Sequence, residues 1–361
     1  MLILLIDELI SFFPLLNAFA YISTRTVAAT FTSGLIVFLL SPPMIRFLKK
    51  HQKNGQPIRP DGPKRHIVEK SGTPTMGGVI ILLGVIVSSL LWADLSNRYI
   101  WVVGFVALFF GLIGFYDDYL KVFNSSSNGL GSIYKIMLQI FISIISIYFL
   151  TRHVADFDQV VFLPFLKDFS IDLGVFFIIF STLVIVGSSN SVNLTDGLDG
   201  LAIMPVMIAI GSFGLIAYLT GNILFSEYLN IQYMPGSGEL AIVCGAVIGA
   251  GIGFLWYNAP PAMIFMGDTG SLSLGSIIGI IAVITKHEFV LLIIGGLFVL
   301  EATSVIVQVI SFRLTGKRIF KMAPLHHHFE QKGWSEPTIV IRFWIISLIL
   351  ALVGLLTLKL R

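Results

Sequence analysis

The feature that most constrains the fold is a series of apolar stretches, each long enough to cross a lipid bilayer. A membrane-spanning helix needs roughly 17 to 25 mainly apolar residues, because it must traverse the hydrocarbon layer with its backbone groups paired. Such stretches lie near residues 24–45, 75–92, 99–116, 132–150, 172–189, 201–220, 239–257, 269–285, 289–310 and 338–357. The sequence therefore predicts an all-α polytopic membrane protein with about ten transmembrane helices.

The composition agrees with the bilayer as solvent. Of the 361 residues, 56% are apolar and 12% are charged, and the mean hydropathy is +0.91. We expect a single integral-membrane domain over residues 1–361, with membrane lipid but no nucleic acid among its partners. Residues 1–20 are apolar but are interrupted by Asp7, Glu8 and Pro14, and no basic residue leads them. We interpret them as an interfacial helix and not as a cleaved signal peptide.

Charges between the spans predict the orientation. The connection at 46–70 is strongly basic, and the connection at 311–334 adds Arg313, Lys317, Arg318, Lys321 and Lys332. Basic loops stay in the cytoplasm, so we expect these connections and the others of the same parity on the cytoplasmic side. The predicted cytoplasmic loops are 46–74, 117–132, 190–200, 258–268 and 311–337. With an even number of spans, both termini are then periplasmic.

Every unusual polar cluster falls on these cytoplasmic connections. Ionised groups so close to the hydrocarbon layer are costly unless a partner, a pocket or a metal compensates them. One aspartate at a helix end is often only a cap. Five at one surface, interleaved with glycines, instead predict an active site at the cytoplasmic face, and they are Asp117, Asp118, Asp196, Asp199 and Asp268.

The residue types favour a hard cation and phosphate chemistry. Clustered aspartates without cysteine or a helical His-x-x-x-His pair favour Mg2+, with Mn2+ as the alternative, over zinc. Magnesium held by few carboxylates completes its shell with water and substrate phosphates. Lys70 and Lys121 lie beside the aspartates and supply positive charge. Because adjacent residues on a helix point about 100° apart, we expect different roles for Asp117 and Asp118.

Three consecutive histidines, His326, His327 and His328, lie in the last basic loop. Neighbouring side chains fan out in a helix and alternate in an extended segment, so three in a row do not easily bind one ion. We expect them to contact phosphate or to handle protons, with a solvated basic loop as the alternative. Phe265 is a candidate for stacking on a base, although an aromatic residue there is more often packing.

These motifs resemble those of the phospho-N-acetylmuramoyl-pentapeptide transferases, in the polyprenyl-phosphate N-acetylhexosamine-1-phosphate transferase superfamily. The resemblance covers essentially the whole chain and is carried by Pro74-Thr75-Met76-Gly77-Gly78, Asp117-Asp118, Asn193-Leu194-Thr195-Asp196-Gly197-Leu198-Asp199-Gly200-Leu201, Phe265-Met266-Gly267-Asp268 and His326-His327-His328. It implies a homodimer in the bacterial cytoplasmic (inner) membrane. It also implies Mg2+-dependent transfer of phospho-MurNAc-pentapeptide from UDP-MurNAc-pentapeptide to undecaprenyl phosphate, giving lipid I and UMP in the first membrane step of peptidoglycan biosynthesis.

The resemblance also implies roles for individual residues. Asp268 is expected to bind magnesium, and Asp117 and Asp118 are expected to be essential. The uracil-binding positions match Gly197, Leu198, Asp199 and Phe265, with Phe265 stacking on the ring. The positions that line the nucleotide and phosphate pocket match Lys70, Thr75, Asn193, Asp196, Asn258, His326, His327 and His328.

Several alternatives stay open at this point. We expect an undecaprenyl phosphate oxygen to attack the sugar-bearing phosphorus directly, with Asp117 as base or organiser, but a covalent aspartyl-phosphate route is an alternative. Within the superfamily, the rival is a GlcNAc-1-phosphate transferase. A rival of another class is an ion-coupled transporter, although such sites usually lie near the membrane midplane. Glu301, inside the ninth span, is the acid that best fits this rival, and we interpret it as a helix-pairing or kink residue.

Overall fold

The computed structural model describes residues 13–52, 55, 70, 72–124, 129–154, 157–166 and 169–359. Residues 1–12 of the predicted interfacial helix and most of the basic connection at 46–74 lie outside the described residues. Pro14–Ala20 form a 3-10 helix that leads into the first long helix. The interfacial location of 1–20 therefore stays a prediction.

The described chain is built almost entirely from helices. In chain order they are α1 (Ile22–His51), α2 (Gly78–Trp92), α3 (Arg98–Phe123), α4 (Ser132–His153), α5 (Phe176–Thr195), α6 (Ile203–Thr220), α7 (Ile223–Leu229), α8 (Leu240–Asn258), α9 (Gly267–Ile284), α10 (Glu288–Ile294), α11 (Gly296–Thr315), α12 (Leu325–Glu330) and α13 (Glu336–Leu356). Between α4 and α5, two short antiparallel strands, β1 (Val160–Phe162) and β2 (Ser170–Asp172), pair with Val161 opposite Ile171. This hairpin departs from the all-α prediction, because three-residue strands show too little alternation to be recognised in a sequence.

Nine helices within the described residues are long and apolar enough to cross a membrane, namely α1, α3, α4, α5, α6, α8, α9, α11 and α13. The remaining predicted span corresponds to α2, a shorter apolar helix of 15 residues. It begins at Gly78 and not at residue 75, since Met76 has a φ of 77°, which a helix cannot contain. The prediction of a mostly helical, multi-pass membrane protein is confirmed.

The predicted ninth span, 289–310, is divided into two helices. α10 ends at Ile294 and α11 begins at Gly296, with Gly295 between them in a non-helical conformation. Consecutive glycines have low helix propensity, so a break here costs little. Elsewhere helices run further than predicted, and α3 continues to Phe123. Residues 117–123, which begin the predicted loop 117–132, are therefore helical.

The close approach of α1 and α8 depends on small residues. Gly245, Gly249 and Gly253 recur every fourth residue on α8, so they share one face, and this face lies directly against α1. A Cβ on Gly249 would collide with the carbonyl group of Thr30. Small residues at this spacing allow membrane helices to pack by van der Waals contact, a principal attraction between helices in lipid.

α9 is the most enclosed of the nine membrane helices described above. Its Gly275 and Gly279 lie against α5, and Gly270 lies against Gly78 at the start of α2. A helix surrounded in this way cannot move without repacking its neighbours. The first turn of α9, which contains Asp268, consequently has a fixed place in the bundle.

The two ends of the bundle carry different polar contacts. At one end, Arg25 of α1 pairs with Glu239, with 2.6 Å between Nη2 and Oε1. The other end, here called the polar end, holds Asp117, Asp268 and Asn258. The polar end is formed where α3, α5 and α8 finish and where α4, α9 and α13 start. The antiparallel path of the chain thus brings distant polar residues together.

Replacing Gly249 with alanine is expected to destabilise the protein by about 1 to 3 kcal/mol, because the added methyl group would force α1 and α8 apart. Gly104→Ala is the matched control, since a Cβ at this membrane-helix position would meet no atom within 4 Å. Thermal unfolding in detergent should give a lower midpoint for Gly249→Ala alone. Equal midpoints for the two variants would contradict the packing argument.

Candidate active site

The start of α9 is fixed by Asp118, a residue of α3 that is only 1% exposed. Its carboxylate accepts the backbone N–H groups of Asp268 (3.1 Å) and Thr269 (3.0 Å) and the Thr269 hydroxyl (2.8 Å). Gly114, one turn earlier on α3, permits this approach, because a Cβ there would collide with the backbone of Asp268. A carboxylate at a helix N-terminus satisfies N–H groups that lack a partner within the helix. Asp118 therefore positions Asp268.

Asp268 itself faces two lysines and a carboxamide. Its Oδ2 lies 2.5 Å from Nζ of Lys135 and 3.1 Å from Nζ of Lys121, and its Oδ1 accepts a hydrogen bond from Asn193 (2.8 Å). Asp117 lies on the same face of α3 as Lys121, one turn away, and the two side chains approach to 2.5 Å. The two ammonium groups therefore lie between two carboxylates.

The three aspartates form a candidate metal centre. One oxygen each of Asp117, Asp118 and Asp268 lies within 4.8 Å of the others. Hard oxygen donors suit Mg2+ or Mn2+, and no cysteine or histidine among the described residues joins this group, which disfavours zinc. The lysines compensate the three negative charges only in part. The residues present therefore fit a hard divalent cation.

A second group of charged residues surrounds Lys70. Its Nζ lies 2.6 Å from Oδ1 of Asp199 and 2.7 Å from Oε1 of Glu336, and 5.9 Å from the ring centroid of Phe265. Oδ2 of Asp199 accepts the backbone N–H of Ala262 (2.9 Å), so both oxygens of this carboxylate have partners within the protein. Burial favours the neutral amine, but the charges of Glu336 and Asp199 outweigh it, so the pKa of Lys70 is raised.

The turn at 196–201, between α5 and α6, lies beside both groups. Gly200 has a φ of 70°, a conformation that residues with a Cβ rarely adopt, and its N–H donates to Oδ1 of Asn258 (3.0 Å). Asn258 also donates to the carbonyl group of Ile264 (2.8 Å). Leu198 is buried and Gly197 is partly exposed. Asn258 thus ties this turn to the segment that precedes α9.

Asp196 lies in the same turn and is partly exposed. Although the residue retains some exposed surface, desolvation of its carboxyl group by the surrounding protein raises the pKa to about 8, and the negative charges of Asp268 and Asp118 act in the same direction. Because an unfolded aspartate has a pKa of about 3.9, the folded protein binds this proton more tightly than the unfolded chain does. Without a divalent cation, stability is therefore lost as the pH rises from about 4 to about 8.

Glu301 is fully buried on α11 and holds the start of α12. Its Oε2 accepts the backbone N–H of Leu325 (2.7 Å), and its Oε1 accepts that of His326 (3.2 Å) and lies 3.2 Å from His326 Nδ1. This contact joins α11 to α12 and agrees with the expected role as a helix-pairing residue, although the partner is the short helix α12 and not another membrane span. The imidazole of His326 in turn lies against Gly197, where a Cβ would collide with it.

The other two histidines of α12 have separate partners. Nδ1 of His327 lies 2.6 Å from a carboxylate oxygen of Glu330, and Nδ1 of His328 accepts the backbone N–H of Lys321 (3.1 Å). Partial burial, together with the charges of Lys332 and Lys321, lowers the pKa of His328. Each imidazole is thus held in a different environment.

Sequence reasoning misses three residues of the polar end. Gln52 accepts the backbone N–H of Thr75 (3.0 Å) and donates to its carbonyl group (3.3 Å), which fixes the Pro-Thr-Met-Gly-Gly segment. Lys135 contacts Asp268. The sequence feature that could have identified it is a positive charge one turn inside an apolar stretch. Glu336 has no distinguishing signal, because an acid in the first turn of a helix is common.

The polar end thus contains two clusters. The acidic cluster comprises Asp117, Asp118, Lys121, Lys135, Asn193 and Asp268. The Lys70 cluster comprises Lys70, Asp199, Gly200, Asn258, Ala262, Phe265 and Glu336. The segment 193–200 joins them, because it contributes residues to both.

Fold and site together define a multi-pass membrane protein with carboxylates and lysines gathered at one end of a helical bundle. The family model described as Glycosyl transferase family 4 matches residues 100–286, and the Phospho-N-acetylmuramoyl-pentapeptide-transferase signature 1 matches residues 70–82. A curated protein of Maricaulis maris (strain MCS10), named phospho-N-acetylmuramoyl-pentapeptide-transferase, is 58% identical over 367 aligned positions that cover 100% of both chains. The chain belongs to the phospho-N-acetylmuramoyl-pentapeptide-transferase family, which confirms the prediction from its motifs.

Asp118→Asn is expected to lower the free energy of unfolding by at least about 1.5 to 3 kcal/mol, because the hydrogen bonds at the start of α9 lose their charged acceptor. Asp196→Asn is the matched control. It removes a carboxylate whose pKa is raised, which means that its ionised form destabilises the folded protein. In EDTA at pH 8, the thermal midpoint should fall for Asp118→Asn and stay unchanged or rise for Asp196→Asn. Equal losses in both variants would refute the separate roles.

Proposed function

We propose that this protein transfers phospho-MurNAc-pentapeptide from UDP-MurNAc-pentapeptide to undecaprenyl phosphate, giving lipid I and UMP in the first membrane step of peptidoglycan biosynthesis. The full-length identity of 58% to a phospho-N-acetylmuramoyl-pentapeptide-transferase supports this activity. The structural observation that carries it is the meeting of three aspartates and two lysines at the end of a membrane bundle. Only a site at the membrane boundary reaches both a nucleotide in water and a phosphate on a lipid.

Mg2+ is the proposed cofactor, with Mn2+ as the alternative. Asp268 is its main proposed ligand, assisted by Asp117, because the carboxylate of Asp118 is already engaged by three hydrogen bonds. When bound, the cation neutralises charge on the pyrophosphate of the nucleotide precursor. Lys121 and Lys135 add positive charge for the phosphate oxygens of the two substrates.

The transfer itself depends more on positioning than on proton removal. An oxygen of undecaprenyl phosphate attacks the sugar-bearing phosphorus, the bond from this phosphorus to the bridging oxygen breaks, and UMP leaves. A phosphate monoester has a second pKa near 6, so the acceptor is mostly ionised at neutral pH and a general base adds little. Asp117 therefore serves chiefly to orient Lys121 and, with it, the lipid phosphate. Trapping a labelled phospho-sugar on the protein without lipid acceptor would instead establish a two-step route.

The Lys70 cluster is the proposed nucleotide site. Phe265 stacks on the uracil ring, which Gly197, Leu198 and Asp199 border. Because its carboxylate is engaged by Lys70 and by the N–H of Ala262, Asp199 acts mainly by shaping this pocket. Further residues proposed to line the nucleotide and phosphate pocket are Lys70, Thr75, Asn193, Asp196, Asn258, His326, His327 and His328.

We also propose that the polar end faces the cytoplasm across a bacterial inner membrane, with both termini periplasmic. The basic connections at 46–70 and 311–334 support this orientation, because basic loops remain on the cytoplasmic side. A single domain over 1–361 is supported by the packing of α9 against helices from both halves of the chain. The homodimer is proposed from the family resemblance alone.

The alternatives are less well supported. A GlcNAc-1-phosphate transferase shares the chemistry, but the name of the curated relative favours the muramoyl substrate. The coupling-ion sites of ion-coupled transporters usually lie near the membrane midplane. Here the acidic residues meet at one end of the bundle, and Glu301 is engaged by backbone N–H groups of α12.

Purified protein supplied with undecaprenyl phosphate and Mg2+ is expected to release UMP from UDP-MurNAc-pentapeptide, because the site is complementary to two phosphates and a divalent cation. Chromatographic quantification of UMP provides the measurement, and omission of the lipid acceptor or addition of EDTA should abolish release. UMP produced from UDP-GlcNAc but not from the muramoyl precursor would reassign the substrate. No release from either nucleotide would exclude the transferase activity.

Asp268→Asn is expected to weaken Mn2+ binding at least about tenfold, because a proposed metal ligand is replaced by a neutral group. Electron paramagnetic resonance of free Mn2+ during a titration measures this binding without requiring turnover. Asp172→Asn is the control, since Asp172 lies in the hairpin between α4 and α5, where its carboxylate accepts the N–H of Gly174. Unchanged Mn2+ affinity in Asp268→Asn would remove this residue from the metal site.

A further inference from the structure

Glu336 joins three distant parts of the chain through a single oxygen atom. Its Oε1 accepts the ammonium group of Lys70 (2.7 Å) and the backbone N–H of Asp199 (2.8 Å). The same ammonium group also donates to the side chain of Asp199 (2.6 Å). Lys70, Asp199 and Glu336 thus form a closed triangle of hydrogen bonds, and each member restrains the other two.

Charge compensation alone does not account for Glu336. Lys70 already has one carboxylate partner in Asp199, and a second carboxylate leaves the group net negative. The side chain of Glu336 is 15% exposed, so its charge is largely removed from water, which is costly. An acid at the start of α13 favours the helix dipole, but that contribution does not require contact with Lys70. The contact instead fixes where Lys70 and the Asp199 backbone lie.

The rest of α13 supports the same turn. Nε1 of Trp344, two turns beyond Glu336, donates to the carbonyl group of Gly200 (3.2 Å). Leu198 and Leu201 of this turn belong to one buried apolar cluster with three residues of α13, Ile339, Val340 and Phe343. The turn that borders the proposed uracil site therefore packs against α13 through two kinds of contact. Glu336 and Trp344 form hydrogen bonds with its backbone, and the leucines pack against apolar residues of α13.

We infer that Glu336 is a positioning residue for the nucleotide: it holds the Lys70 ammonium group and the 197–200 turn in the geometry that receives the uridine part of the substrate. This inference rests on the proposed function. Glu336 lies in the Lys70 cluster and not among the aspartates and lysines of the acidic cluster. Loss of Glu336 consequently lowers the affinity for the nucleotide, whereas the affinity for the lipid acceptor and the rate of the transfer step stay nearly unchanged.

The experiment compares Glu336→Ala and Glu336→Gln with the wild-type protein. UMP binding is measured by isothermal titration calorimetry, and KM is measured for both substrates. Glu336→Ala should weaken UMP binding and raise KM for the nucleotide precursor by about tenfold or more, because two hydrogen bonds to a charged acceptor are lost. KM for undecaprenyl phosphate and kcat should change less than about twofold. Glu336→Gln keeps an acceptor oxygen without the charge and should restore part of the affinity.

The matched control is Glu239→Gln at the opposite end of the bundle. Glu239 is also a largely buried, ion-paired glutamate that accepts a backbone N–H, from Asp94 (3.0 Å), but it lies far from the Lys70 cluster. The Glu239→Gln variant should have a lower thermal midpoint but unchanged UMP affinity. This comparison separates loss of stability from loss of nucleotide positioning.

Three results would overturn the inference. If wild-type protein binds UMP and Glu336→Ala binds it equally well, Glu336 does not position the nucleotide, although the proposed function stands. A parallel rise in both KM values with a lower thermal midpoint would also reject it in favour of a purely structural role. Wild-type protein that neither binds nor releases UMP would overturn the proposed function and this inference together.

Discussion

The geometry of the polar end depends on one interaction, the capping of α9 by the carboxylate of Asp118. α9 begins at Gly267 among packed helices, and the N–H groups of its first turn have no acceptor within the helix. Asp118 satisfies two of these groups and the hydroxyl of Thr269. The same hydrogen bonds place Asp268, and Gly114 is required because any larger residue would separate α3 from α9. The Asp118 carboxylate therefore helps to determine both the packing of α3 against α9 and the position of Asp268.

The aspartates at the helix ends cannot be distinguished in the sequence, but their carboxylates bind different partners in the structure. Asp118 binds the backbone N–H groups at the start of α9, whereas Asp117, its neighbour on the helix, pairs with Lys121 and accepts the N–H of Leu130, since adjacent side chains point about 100° apart. Asp268 faces the ammonium groups of Lys121 and Lys135, and its side chain is more exposed than that of Asp117. Asp199 is engaged on both oxygens and shapes a pocket around Lys70. Buried acids of this kind are tolerated because each has charged or N–H partners.

Hydropathy predicts the membrane helices because each is long and apolar, and helix parity predicts that Asp117 and Asp268 meet at one end. Local departures escape prediction. The break at Gly295 depends on backbone conformation within a continuously apolar stretch, and the β1–β2 hairpin is too short to show a period. Lys135 and Glu336 also escape, since their partners lie 133 and 266 residues away in sequence, and only the folded bundle reveals them.

Formal charge explains why lysines and a divalent cation belong in the same site. Asp117, Asp118 and Asp268 carry three negative charges against the two positive charges of Lys121 and Lys135, so the acidic cluster alone is net negative. The ion pairs stabilise the cluster itself, but its net negative charge repels a pyrophosphate. A divalent cation held by Asp268 and Asp117 would reverse the sign, and at the low effective dielectric of a partly buried site this change would act strongly on an anionic substrate. In the proposed function the cation would thus help to attract the substrate, while the Lys70 cluster, also net negative, would select the nucleoside by shape and hydrogen bonding.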